Sequence, residues 1–147
     1  MIDNRFEINL RVGVVGYCPP SIFDEGKALD YIKGAYNQIR KDFPYRGITI
    51  VAGVTNVGVL KLAYEEAKRR GWRTAGVGSK KAYGFEWFPV DEKPIIVGED
   101  WGDESETFLS MIDALVRIGG DKQSKEETDV MKKIGAYVLE YDLPLLD

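Results

Sequence analysis

The chain has 147 residues, 44% hydrophobic and 30% charged, the balance of a globular domain rather than a disordered or membrane-spanning chain. Its net charge of −4 argues against general nucleic-acid binding, which draws affinity from phosphate neutralisation by Lys and Arg. Histidine is absent and Cys18 is the single cysteine, which removes Ser-His and Cys-His catalysis, an intrachain disulfide and His-ligated metal sites. No cofactor or metal is therefore expected. No apolar run approaches the ~20 residues that span a membrane. The N-terminal MIDNRFEINL is acidic and polar where a leader would be apolar. A cytoplasmic protein without a membrane contact is expected.

Apolar, β-branched runs alternate with amphipathic stretches along the chain. Leu10–Gly16 (LRVGVVG) reads as a buried strand. After the turn YCPPS, residues Ala28, Leu29, Ile32, Ala35, Tyr36 and Ile39 share one helical face, with Ser21 and Asp24 as a weak capping box. Gly47–Gly53 (GITIVAG) is a second strand. A helix follows from about Val57 to Arg70, with Leu60, Ala63, Tyr64 and Ala67 inward. Its outer side carries the pairs Glu65–Arg69 and Glu66–Arg70, and Gly71 stops it.

RTAGVG (73–78) and PIIVG (94–98) are the third and fourth strands. The stretch between them, 79–93, is aromatic and aperiodic. Connections of that length are often functional, and an oligomer contact is expected there. ESETFLSMI (104–112) reads as a short helix and DALVRIGG (113–120) as the fifth strand. A helix from about Lys125 to Ile134 and a last strand, AYVLEYD (136–142), complete the chain. The alternation predicts an α/β, Rossmann-like three-layer domain over residues 1–147, its mostly parallel sheet of about six strands lying between helical layers.

In such sheets ligands bind beyond the carboxyl ends of the strands, at the switch point. Three glycine turns fall there: Gly16–Tyr17, Gly53 and Gly119–Gly120. In the second, Thr55 or Asn56 would cap the helix, and Gly58, beside Val57, leaves room for a bulky group. First-turn N–H groups and the helix dipole attract phosphate. The Gly-Lys-Ser/Thr of a Walker loop is missing. In the third turn, Ser124 and Glu127 read as a capping box, which leaves Glu126 as the carboxylate free to face the sheet edge. Gln123 would meet a base or sugar, and Lys122, next to Asp121, a phosphate. In GEDWGDESE (98–106), Trp101 would stack a base, while Glu99, Asp100 or Asp103 would bond ribose hydroxyls or Mg²⁺, or cap the next helix. Cys18 is expected to be a small residue of the core or pocket wall.

These turns resemble those of the SLOG superfamily, Rossmann-like nucleotide-binding proteins that include the Lonely Guy phosphoribohydrolases. GVTNVGVLK (53–61) lies over the family's GGGSVGLMG without a gap, keeping Gly53, Val57 and Gly58. DALVRIGGDKQSKEE is similar to the PGGxGTxxE motif and the strand before it, with Asp113 at the strand start, Gly119 and Gly120 at the paired glycines and Glu126 at the acid. The similarity runs from Arg11 to about Leu143. Ile118, Lys122 and Gln123 replace the motif's proline, second glycine and threonine. The hydrolases also place an arginine on the preceding helix, where GDESETFLSMI has no basic residue.

The resemblance implies binding of a nucleotide or nucleotide-derived ligand in a homo-oligomer. Phosphate would sit on the turns 53–58 and 119–124, the sugar at Glu126 and Gln123, and the base at Trp101 or Tyr17. A nucleoside 5′-monophosphate phosphoribohydrolase using Glu126 is the alternative, and an interaction protein with a vestigial site the third reading.

Overall fold

The structure, a computed structural model, describes residues 9–146. The leader reading rests largely on residues 1–8, outside that range. The strands are β1 (Asn9–Gly16), β2 (Gly47–Gly53), β3 (Arg73–Gly78), the two-residue β4 (Ile95–Ile96), β5 (Ala114–Ile118) and β6 (Tyr137–Tyr141). They form one sheet in the order β4–β3–β2–β1–β5–β6, every pair parallel. Both faces are covered, which is why the strands are rich in valine and isoleucine: Val12 and Val14 pack into one core, Val15 into the other.

Helices α1 (Glu25–Asp42) and α2 (Gly58–Arg69) supply the first core, and α3 (Ser105–Ser110) and α4 (Lys122–Lys133) the second. Right-handed crossovers explain the division. The chain steps outward from β1 to β4 and then returns past β1 to β5, so its later helices fall on the opposite face. Strand order reverses between the neighbours β1 and β5, and their carboxyl ends are the switch point.

α1 buries Ala28, Ile32, Ala35, Tyr36 and Ile39, as the periodicity requires. Asp24 is its N-cap, accepting the Lys27 N–H at 3.0 Å. Ser21 takes no part in the cap and reaches the switch point instead. On α2, Glu66 is not an outer residue: it is 3% exposed and accepts from both Arg69 and Arg70. Arg69 therefore bonds Glu66 rather than Glu65. Burial opposes the Glu66 charge, but the two guanidiniums more than offset it and hold the carboxyl below its usual range.

The aromatic stretch forms a 3₁₀ turn (Lys80–Gly84) and then folds onto its own chain. Phe88 is buried and stacks on Tyr64 at 4.8 Å, and the Trp87 indole donates to the Ala82 carbonyl at 2.7 Å. Tyr83 and Phe85 stay exposed. No helix among the described residues is long and apolar enough to cross a membrane.

Candidate functional site

A crevice of about 230 Å³ opens at the carboxyl ends of β1, β2 and β3, beside the start of α4. Its apolar part comes from Val14, Val15, Val77 and Phe108, with Gly16 and Gly53 at the strand ends. The loop after β1 adds Cys18, Ser21 and Pro19–Pro20, joined by a cis peptide bond. The polar side is built by α4, with Asp121, Gln123, Ser124 and Glu127, and by Glu104 just before α3.

The start of α4 decides which side chains reach this space. Asp121 is the N-cap, its carboxylate facing the Ser124 N–H at 3.5 Å, so the helix begins at Lys122. That is three residues earlier than the sequence suggested, and the Ser124–Glu127 capping box does not form. The inward face becomes Ser124, Glu127, Thr128 and Met131. Glu126 points outward, its side chain 64% exposed and 3.8 Å from Lys122. Of these two neighbouring glutamates, the one at the crevice is Glu127, 7% exposed.

Glu127 sits in a small polar network. It accepts the Ser105 hydroxyl at 2.7 Å and a hydrogen bond from Gln123, whose amide also donates to Ser105 at 3.2 Å. Burial pushes its carboxyl up to about 7. Ser105 and Gln123 oppose that rise, and the nearby charges of Glu104 and Asp121 add to it. Ser124 is 5% exposed, and its hydroxyl has no hydrogen-bond partner among the described residues. It lies over Gly120, whose φ of +100° leaves the backbone without a Cβ where the Ser124 side chain rests.

The turn after β2 is closed by the chain itself. Gly58 has φ +56°, and a Cβ there would collide with the Tyr17 carbonyl and the Cys18 backbone. The N-cap of α2 is Val57, which makes no side-chain cap, so the caps expected from Thr55 and Asn56 do not form. Thr55 is buried and pairs with Trp87, while Asn56 bonds Glu86 through its backbone N–H and its amide, at 2.9 and 3.0 Å. The Val59 N–H donates to the Tyr17 carbonyl at 2.9 Å, and the Leu60 N–H to the Cys18 sulfur. Burial and the charge of Asp121 push the Cys18 thiol up to about 11, against that hydrogen bond. It stays protonated at neutral pH and is no nucleophile.

Other expected contacts serve the frame. The Tyr17 ring packs beneath Gly119 (φ +59°) and 5.9 Å from Phe23, outside the crevice lining. Arg117, buried on β5, donates to the Gly119 carbonyl at 2.7 Å and is balanced by Asp142 at 2.8 Å and Glu140. Trp101 is 53% exposed, edge-on to Phe85 at 5.7 Å, and does not line the crevice. Asp103 accepts the N–H groups of Glu99 and Asp100 at 2.9 Å, and Glu99 pairs with Lys80. The acids of that loop therefore shape a turn.

The structure brings Gly16, Gly53, Asp121, Gln123 and Ser124 together around the crevice. Tyr17, Thr55, Asn56, Val57, Gly58, Gly119 and Gly120 build its frame. Trp101, Lys122 and Glu126 face solvent. Sequence reasoning missed Glu127, Ser105 and Glu104. For Glu127 a signal existed: Asp121-x-x-Ser124 is itself a cap pattern, and a helix started at Lys122 turns Glu127 inward.

Solved structures share this architecture. The molybdenum cofactor carrier protein of Chlamydomonas reinhardtii superposes with a TM-score of 0.68 at 20% identity, over 90% of this chain and 76% of that one. The molybdenum cofactor binding protein of the phototrophic bacterium Rippkaea orientalis gives 0.69 at 20% identity, with the same coverage. The chain has the fold of these proteins. The Rossmann-like α/β fold expected from the alternation of strands and helices is thus the fold observed. No family model and no curated relative matches the sequence.

Proposed function

We propose that the chain binds a nucleotide-derived small molecule in the crevice at the carboxyl ends of β1, β2 and β3. The observation that carries this reading is the Ser124 hydroxyl, which has no partner among the described residues and opens on the crevice beside Asp121, Gln123 and Glu127. These groups suit sugar hydroxyls and ring N–H donors. At about 230 Å³ the space is smaller than the roughly 300–1,000 Å³ of pockets that engulf a ligand, so it takes one portion of the molecule. Proteins of the same fold carry or bind the molybdenum cofactor. That cofactor is one candidate cargo, because the ring N–H and amino groups of a pterin are donors that carboxylates accept.

Thermal melts against nucleosides, mononucleotides, dinucleotides and pterins test the proposal. A binder at a hundred times its Kd adds about 2.7 kcal/mol, a rise of several degrees. The joint variant Gln123→Ala/Ser124→Ala should lose that response. No response to any member of the panel overturns the proposal.

One observation favours hydrolysis as a second reading. Glu127 lines the crevice and accepts the Ser105 hydroxyl, and burial pushes its carboxyl up to about 7, the range a general acid needs. Free base released from AMP, and abolished by Glu127→Gln but not by Glu126→Ala, would establish it.

A further inference from the structure

We infer that the crevice receives the sugar or heterocycle of its ligand, and that a phosphate carried by that ligand stays outside. This deepens the binding function proposed above and rests on it. Three carboxyl side chains line the crevice, Glu104, Asp121 and Glu127, and no lysine or arginine among the described residues joins them. Glu127 is almost fully buried, so once it ionises above about pH 7 water screens its charge poorly. A phosphate placed there would meet like charge without a compensating cation.

The usual remedy, backbone donors at helix starts, is partly spent on the chain. Asp121 caps α4 with a carboxylate, putting negative charge where an anion would dock. In the first turn of α2, the Val59 and Leu60 N–H groups have acceptors in the Tyr17 carbonyl and the Cys18 sulfur. The room beside Gly58 holds the Tyr17–Cys18 backbone.

What remains open suits a neutral, donor-bearing group. The Ser124 hydroxyl donates or accepts, the carboxylates accept, and Val14, Val15 and Phe108 provide an apolar surface for a ring or sugar face. The nearest cation of α4, Lys122, has a side chain 90% exposed and lies 3.8 Å from Glu126. A phosphate held at such an exposed lysine gains at most about fivefold in affinity.

The test compares matched pairs on the intact chain by calorimetry at low salt and pH 8, where the Glu127 carboxyl is ionised. Adenosine, guanosine, cytidine, uridine and an unphosphorylated pterin are each set against their monophosphates. In every pair that binds, the phosphate should improve affinity by less than fivefold. The double variant Asp121→Asn/Glu127→Gln keeps the cap and the shape while removing two charges. It should move the preference toward the monophosphate by fivefold or more. A monophosphate that wins by fivefold or more on the unmodified chain overturns the inference and leaves the binding function standing. A preference that the folded double variant leaves unmoved also overturns it. Silence from all pairs overturns both.

Discussion

The turns after β2 and β5 look alike in sequence, each with glycines between an apolar strand and a helix, yet the structure uses them in opposite ways. The turn 53–58 is filled by its own chain: Gly58 admits the Tyr17–Cys18 backbone, the Val59 N–H donates to the Tyr17 carbonyl and the Leu60 N–H to the Cys18 sulfur. The turn 119–124 is braced from behind by Arg117 and leaves Ser124, Gln123 and Glu127 facing a crevice. Glycine in such a turn signals that something approaches the backbone closely. Whether that something is a ligand or another part of the chain depends on the fold.

The largest effect that would break this comparison is at Gly58. Gly58→Ala combines a positive φ with a collision against backbone that cannot swing away. It should cost roughly 4 kcal/mol of stability in a denaturant titration. A loss below about 1 kcal/mol, the level of an ordinary surface change, would show that the turn has room for a ligand after all.

Next comes the opposite response at the second turn. The Glu127 carboxyl stands at about 7 in the folded chain against an ordinary 4.5. The folded chain thus keeps a proton that the unfolded chain releases. Stability is greatest below the unfolded value, falls as pH rises through that window, and levels off above about 7. The span amounts to roughly 3 kcal/mol. Glu127→Gln should flatten the decline, so that the variant gains on the parent between pH 5 and pH 8 in thermal melts. Parallel pH profiles would place Glu127 in a more hydrated setting than the crevice.

The smallest effect sharpens the contrast between neighbouring acids. Glu126→Ala removes an exposed partner of Lys122 and should change stability by less than about 0.5 kcal/mol. It should also leave binding of any ligand found in the thermal panel unchanged. A tenfold loss of affinity would return Glu126 to the site.

Much of the fold was legible because its signals are local. Periodicity placed Ala28, Ile32, Ala35, Tyr36 and Ile39 on one helix face, and β-branched runs ending in glycine marked β1, β2 and β3. β4 is shorter than PIIVG suggested, because it is an edge strand paired only with Val77 and Gly78 of β3. The site was legible to the level of its turns. Gly16, Gly53, Asp121, Gln123 and Ser124 reach the crevice, whereas Glu126 and Trp101 do not.

The sequence by itself determined the alternation of strands and helices, and with it a parallel sheet and the edge where ligands bind. Hydrophobic period and β-branching act within a few residues and need no partner to be read. Tertiary structure decided which glycine turn stayed open and which carboxylate faced inward. Both depend on what packs against the turn: Tyr17 on Gly58, and Ser105 on Glu127 from a helix more than 20 residues away. A three-residue difference in the start of α4 rotates a side chain from solvent to crevice, and the cap that sets it, Asp121, competes with Ser124 on nearly equal intrinsic terms. Burial of Ser124 and Glu127 against the sheet settled that competition.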